Sequence, residues 1–215
     1  MANSKIYLGN TNIGSLFQGA SDISIYLGEN KVYPLAEPSF KWKATYQDSH
    51  VESAECDSSS EIINGDISPD NLVSVEIGDC VTSITNSAFN YCESLTSIDI
   101  PDSVTSIARS AFENCTSLTN INIPSGVTSI GDRVFYGCSS LTSINIPSGV
   151  TSIGDDSFNG CTSLTNITIN ATTPPTLGIM AFEDTNDCPI YVPDVDAYKA
   201  AEGWSDYADR IQAIP

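Results

Sequence analysis

Apolar residues recur along the middle of the chain in the order L-x-x-I-x-I. Isoleucines two apart with a polar residue between them predict a short strand with one face turned inward. The unit begins at Leu72, Leu95, Leu118, Leu141 and Leu164, a period of 23 residues. Pro101, Pro124 and Pro147 end the strand, because proline cannot donate to a ladder. V-T-S-I then predicts a second short extended piece. Gly131 and Gly154 follow it and suit a turn, while Thr85 and Ala108 stand at the same place in earlier units, so a positive φ is not obligatory there. S-A-F-x-x-C places Phe89, Phe112, Phe135 and Phe158 inside, together with Cys92, Cys115, Cys138 and Cys161. The fifth unit keeps the leading strand, but its Leu177 and Phe182 come one residue late.

One such unit cannot bury its apolar side alone. Stacking five gives continuous ladders of Leu, Ile, Phe and Cys. At about 4.8 Å per strand the stack is roughly 24 Å long. Its open ends need caps. After Ile190-Tyr191-Val192-Pro193, Asp194 can cap a helix over DVDAYKAAEG with Gly203 past its end. Ser205 can cap a second short helix, SDYADRIQ, with Tyr198, Trp204, Tyr207 and Ile211 on the last coil. At the other end KWKATYQ reads as a strand, ECDSSSEIINGDISPDN as a loop-rich cap, and Trp42 and Tyr46 as covers for the first repeat. Further upstream Ile6-Tyr7-Leu8-Gly9 and Ile25-Tyr26-Leu27-Gly28 repeat a strand–turn signal, and Gly28-Glu29-Asn30 suggests a hairpin.

The 23-residue unit resembles the leucine-rich repeats. Over about 72–192 it is similar to the BspA-like (Treponema-type) family, whose consensus runs L-x-x-I-x-I-P-x-x-V-T-x-I-G-x-x-A-F-x-x-C. The string IYVPDVDAYKAAEGWSDYADRIQAI resembles the terminal segment common in that family. The resemblance implies an α/β repeat solenoid: a right-handed leucine-rich repeat coil of short β-strands and short helical turns. The expected division is a β-hairpin module at 1–35, a linker and cap at 36–71, five repeats plus a last strand at 72–192, and a helical cap at 193–215. It further implies a non-enzymatic adhesion module at a cell surface, recognising protein or glycan on a host or bacterium. The first 35 residues are also similar to N-terminal segments of gut Bacteroidetes phage and prophage structural proteins. That implies an alternative, a virion or tail-associated protein displaying the repeats, with homo-oligomerisation through the N-terminal module. No signal peptide is visible at MANSKIYLGN.

Charge narrows the partners. With 8 Lys+Arg against 27 Asp+Glu the formal net charge is −19, so phosphate backbones and anionic membranes are poor partners. No apolar run is long enough to span a membrane.

Candidate chemistry is sparse, and no cofactor is expected. The cysteine column recurs with the repeat and lacks histidine, which points to buried, hydrophobe-like thiols rather than metal ligands. Parallel side chains in a ladder do not meet the disulfide dihedral. Cys56 and Cys80 lie outside that column, about one repeat apart, and are the candidate disulfide. The recurring Gly131-Asp132 and Gly154-Asp155 are similar to calcium-binding β-rolls, but the nonapeptide G-G-x-G-x-D-x-U-x is absent. A single histidine, His50, leaves little room for a triad, and no G-x-S-x-G, phosphate loop or dinucleotide fingerprint occurs. What remains is the outward face of the first strand, expected on the concave side. Its central positions are Ser97, Asp99, Asn120, Asn122, Ser143 and Asn145, flanked by Ser74, Glu76, Asn166 and Thr168. Short polar groups there can hydrogen-bond a glycan or a protein strand, although the face lacks aromatic anchors.

Overall fold

The structure is a computed structural model and describes residues 6–7, 25–27, 30–31, 40–56, 61–62 and 65–215. The chain divides into two compact units, with the boundary between Ser39 and Phe40. In the first, β1 (Ile6–Tyr7) pairs in parallel with β2 (Ile25–Leu27), which pairs antiparallel with β3 (Asn30–Lys31). The expected turn at Gly28-Glu29 and the segments beyond Lys31 up to Ser39 lie outside the described residues.

The second unit is a stack of coils entered through a hairpin. β4 (Phe40–Tyr46) pairs antiparallel with β5 (Val51–Glu55), and β6 (Glu61–Ile62) follows. Each coil then offers up to two strands. The coils give β7 (Leu72–Ile77), β8 (Ser83–Ile84), β9 (Ser97–Asp99), β10 (Ser106–Ile107) and β11 (Ser129–Ile130). They continue with β12 (Ser143–Ile146), β13 (Ser152–Ile153), β14 (Asn166–Ile169) and β15 (Thr176–Leu177). The chain closes with β16 (Ile190–Val192), α1 (Val195–Ala200), a 3-10 turn at Trp204–Tyr207 and β17 (Ile211–Ala213).

The four V-T-S-I pieces, with β6 at one end and β15 at the other, form one six-stranded parallel sheet in the order β15-β13-β11-β10-β8-β6. The leading strands of the repeats fall in two four-stranded sheets, joined by the entry hairpin in β5-β4-β7-β9 and by the C-terminal strands in β12-β14-β16-β17. They part at residues 118–123, which belong to no ladder, although Leu118, Ile121 and Ile123 remain buried and Asn120 and Asn122 exposed.

Identical side chains stack between the sheets. Phe89, Phe112, Phe135, Phe158 and Phe182 lie with neighbouring ring centroids 5.3, 5.6, 5.2 and 5.4 Å apart. Each such contact is worth about 0.5–1.5 kcal/mol beyond burial. The short helical turns expected between strands are hydrogen-bonded turns instead, so among the described residues helix is confined to α1 and the 3-10 turn. Glycine at 131 and 154 answers to space rather than to φ. Neither residue has a positive φ. A Cβ on Gly154 would stand 2.5 Å from the Asp132 nitrogen, and one on Gly131 2.9 Å from the Arg109 nitrogen. The left-handed residues come two places later, at Ser87, Ser110, Arg133, Asp156 and Met180, with φ between 53° and 58°.

The C-terminal cap is smaller and less helical than expected. Asp194 caps α1 through a 3.0 Å bond from the Ala197 N–H, as its side chain suits. The helix ends at Ala200, and left-handed Gly203 precedes the 3-10 turn, which has no side-chain cap from Ser205. The end of the expected second helix is instead β17, because the open edge of β16 takes Ile211 opposite Ile190. Tyr198 and Trp204 are buried and reach back to the stack, donating to the Ala171 and Pro175 carbonyls at 2.8 Å each. At the entry, Trp42 and Tyr46 are buried against the first coil, and Lys41 pairs with Asp66 at 3.6 Å.

Candidate functional site

Strand alternation turns one residue in two outward, and register aligns these residues into columns. On one side Ser53 stands opposite Lys43, Lys43 opposite Glu76, and Glu76 opposite Asp99. Beyond the lapse at 118–123, Asn145 stands opposite Thr168, Thr168 opposite Tyr191, and Tyr191 opposite Gln212. The parallel column runs through Thr45, Ser74 and Ser97 in the first sheet and through Ser143 and Asn166 in the second. Sequence reasoning stopped at Thr168 and found no aromatic anchor. Tyr191 is one, half-buried in β16, and the alternation of Ile190-Tyr191-Val192 was the signal for it. Lys43 extends the face at the other end, 3.7 Å from Glu76 and 3.7 Å above the Phe40 ring.

Much of the polar surface is spent on the stack itself. Thr96, Thr142 and Thr165 each donate a hydroxyl to the carbonyl one coil back, at 3.0–3.1 Å. Thr105, Thr151 and Thr176 do the same along the other sheet, at 3.2–3.4 Å. Asn120 donates to Thr119 at 3.3 Å, and Asn145 accepts from Asn170 at 2.7 Å. The Gly-Asp aspartates cap backbone: Asp132 accepts from the Asp155 N–H at 3.1 Å and Asp155 from the Ile179 N–H at 2.7 Å. Among the described residues no cluster of three metal-ligating side chains forms. Within the candidate face Asp99 and Asn122 are exposed and, among the described residues, make no side-chain hydrogen bond.

Cys92, Cys115, Cys138 and Cys161 are free and buried. The last three donate their S–H to the carbonyls of Phe89, Phe112 and Phe135, at 3.2 Å each. Burial pushes the thiols of Cys92 and Cys138 up to about 12 and those of Cys115 and Cys161 well above the ordinary value. These thiols stay protonated and unreactive. Cys56 and Cys80 are joined in a disulfide with Cα atoms 6.2 Å apart, linking the end of β5 to the first coil. His50 stacks on Tyr46 at 4.2 Å, between Asp48, to which its ring is hydrogen-bonded, and Glu52, 3.7 Å away. Burial first, and then the hydrogen bond it donates to Glu52, push the Tyr46 hydroxyl up to about 12. The hydrogen bond from His50 holds Asp48 below the usual carboxylate value.

Sequence reasoning also missed Arg210. Its guanidinium reaches the carbonyls of Cys188 and Phe182 at 2.9 and 3.2 Å and the Thr185 hydroxyl at 2.7 Å. It satisfies carbonyls of the last coil that have no further coil to meet.

Residues 67–188 match, in six copies, the family described as the BspA type leucine rich repeat region. No curated protein sequence matches the chain. Among solved structures the chain is similar to a leucine rich cell surface protein from Faecalibacterium prausnitzii, with 28% identity, a TM-score of 0.51, and coverage of 90% of this chain and 46% of that one. The pneumococcal vaccine antigen PcpA shares the fold at 17% identity and a TM-score of 0.54, over 89% of this chain and 48% of that one. A leucine-rich repeat protein from Bacteroides ovatus aligns at 25% identity and a TM-score of 0.40, over 74% of this chain and 55% of that one. The chain spans about half the length of these proteins.

Proposed function

Since the chain belongs to the BspA-type leucine-rich repeat family, we propose that it is a binding module that presents its outward strand face to a protein or glycan at a cell surface. The observation that carries this reading is the register of the face. It runs from Ser53 through Lys43, Glu76 and Asp99, and resumes from Asn145 through Thr168 and Tyr191 to Gln212. Such a strip offers side-chain donors and acceptors at strand spacing, with one aromatic ring for contact area. Residues 72–192 display most of the surface, 36–71 and 193–215 cap the stack and extend the strip with Ser53, Lys43 and Gln212, and 1–35 serve attachment to a partner or to another copy. The reading is one of recognition without turnover.

The cell-surface placement draws on the Faecalibacterium protein, which is described as such, and on the Cys56–Cys80 disulfide, which suits an oxidising compartment. Among the described residues no helix is long and apolar enough to cross a membrane. The test is a screen of the whole chain against a glycan array and immobilised extracellular-matrix proteins, repeated with Tyr191→Ala and with Asp99→Ala. A ligand whose affinity falls about tenfold or more in Tyr191→Ala supports the face. A ligand indifferent to both substitutions removes it.

A further inference from the structure

In every interior coil the turn after the second strand donates its N–H groups to the next coil. Ser87, Ser110, Arg133 and Asp156 reach the carbonyls of Arg109, Asp132, Asp155 and Ile179 at 2.8–3.0 Å. Tyr91, Asn114, Gly137 and Gly160 reach those of Glu113, Tyr136, Asn159 and Glu183 at 2.7–3.2 Å. The same positions in the last coil are Met180 and Asp184. The cap, not a further coil, follows, and among the described residues neither N–H has an acceptor. Between them the Phe182 N–H is taken by the Tyr207 hydroxyl at 3.3 Å. The cap therefore closes the middle of this edge and leaves both sides open, as clefts of about 680 Å³ beside Met180 and about 560 Å³ beside Asp184.

The last coil also departs in chemistry. Ile179-Met180 stands where earlier coils have Asp132-Arg133 and Asp155-Asp156. These two residues are 73% and 55% exposed, the most solvent-open apolar neighbours among the described residues. Glu183, Glu202 and Asp206 line the same cleft.

We propose that this edge docks an extended, basic segment of a partner protein. A carbonyl of the segment takes the Met180 N–H, its apolar side chains cover Ile179 and Met180, and its Lys or Arg enters between Glu183, Glu202 and Asp206. Open ladder edges pair with extended chain by this means. Charge selects the occupant. The three carboxylates and a net charge of −19 repel a second copy and attract a cationic strand. The surface is distinct from the outward strand face.

The test uses the whole ¹⁵N-labelled chain and an end-blocked peptide alternating Lys and Val, with a Glu/Val peptide as control. The Lys/Val peptide is expected to shift the Met180 amide resonance and slow its exchange, more weakly at high salt. Ile179→Ser with Met180→Ser, both at exposed positions, is expected to weaken it by about tenfold or more, and so is Glu202→Gln with Asp206→Asn. Equal shifts with the Glu/Val peptide, shifts confined to the strand face, or no shift at millimolar peptide each overturn the proposal. Self-association that maps to the same amide overturns it as well, in favour of a second copy.

Discussion

The interior coils and the last coil are built from one repeat and solve different problems. In coils starting at Leu95, Leu118 and Leu141 every neighbour is a copy. Phe135 is therefore sandwiched between Phe112 and Phe158, and the Cys138 thiol meets the Phe112 carbonyl just as the Cys161 thiol meets that of Phe135. At the end, Phe182 meets Trp204 at 5.8 Å and Tyr207 edge-on at 5.7 Å, and Cys188 lies beside Arg210. Repetition satisfies a coil with its own kind. An end has to be satisfied by different residues performing the same tasks: a tyrosine hydroxyl for a carbonyl, a guanidinium for a thiol, a strand for a coil.

The comparison breaks most easily in the middle of the stack. Phe135→Ala is expected to cost about 3–5 kcal/mol in urea unfolding, because the cavity lies between two fixed rings. A loss below about 1 kcal/mol would mean the stack relaxes like a surface. The entry is the next test. Replacing Cys56 and Cys80 together by Ser is expected to cost about 2–4 kcal/mol by opening the crosslink between β5 and the first coil. Non-reducing peptide mapping that finds both thiols free would remove the crosslink.

Alkaline titration separates interior from end with a smaller effect. Thiols raised in the folded state stay protonated while those of the unfolded chain ionise. Their contribution to stability is thus complete below the ordinary thiol value near 9 and is lost as pH rises through about 12. The melting temperature is expected to fall over that window. Cys138→Ala should lower it at neutral pH but flatten the alkaline fall. Cys188→Ala should flatten it less, because Arg210 beside Cys188 opposes the upward push of burial.

Much of the fold was legible because the repeat makes its contacts one period away. Leu, Ile, Phe and Cys at fixed phase must fall on the same inward column, and the aligned strands follow. The family and the stacked-coil architecture were readable on that ground. The candidate face was legible as alternation, but its composition was read too narrowly. Tyr191 belongs to it only because β16 continues the ladder of β14, and Lys43 only because β4 pairs with β7. Asn145 reads as a free amide in sequence, yet Asn170 engages it from the next coil, across a separation of 25 residues that breaks the period.

The sequence by itself determined the period, the inward columns and the Asp194 cap. Each depends on the intrinsic conformation of a residue or on its neighbour one repeat away. Tertiary structure decided that Ile211–Ala213 is a strand and not helix, that aspartates in the turns serve the next coil's backbone, and that Arg210 closes the last one. Those outcomes are set by which donors and acceptors a finite stack leaves over at its ends. Local propensity carries no information about that remainder.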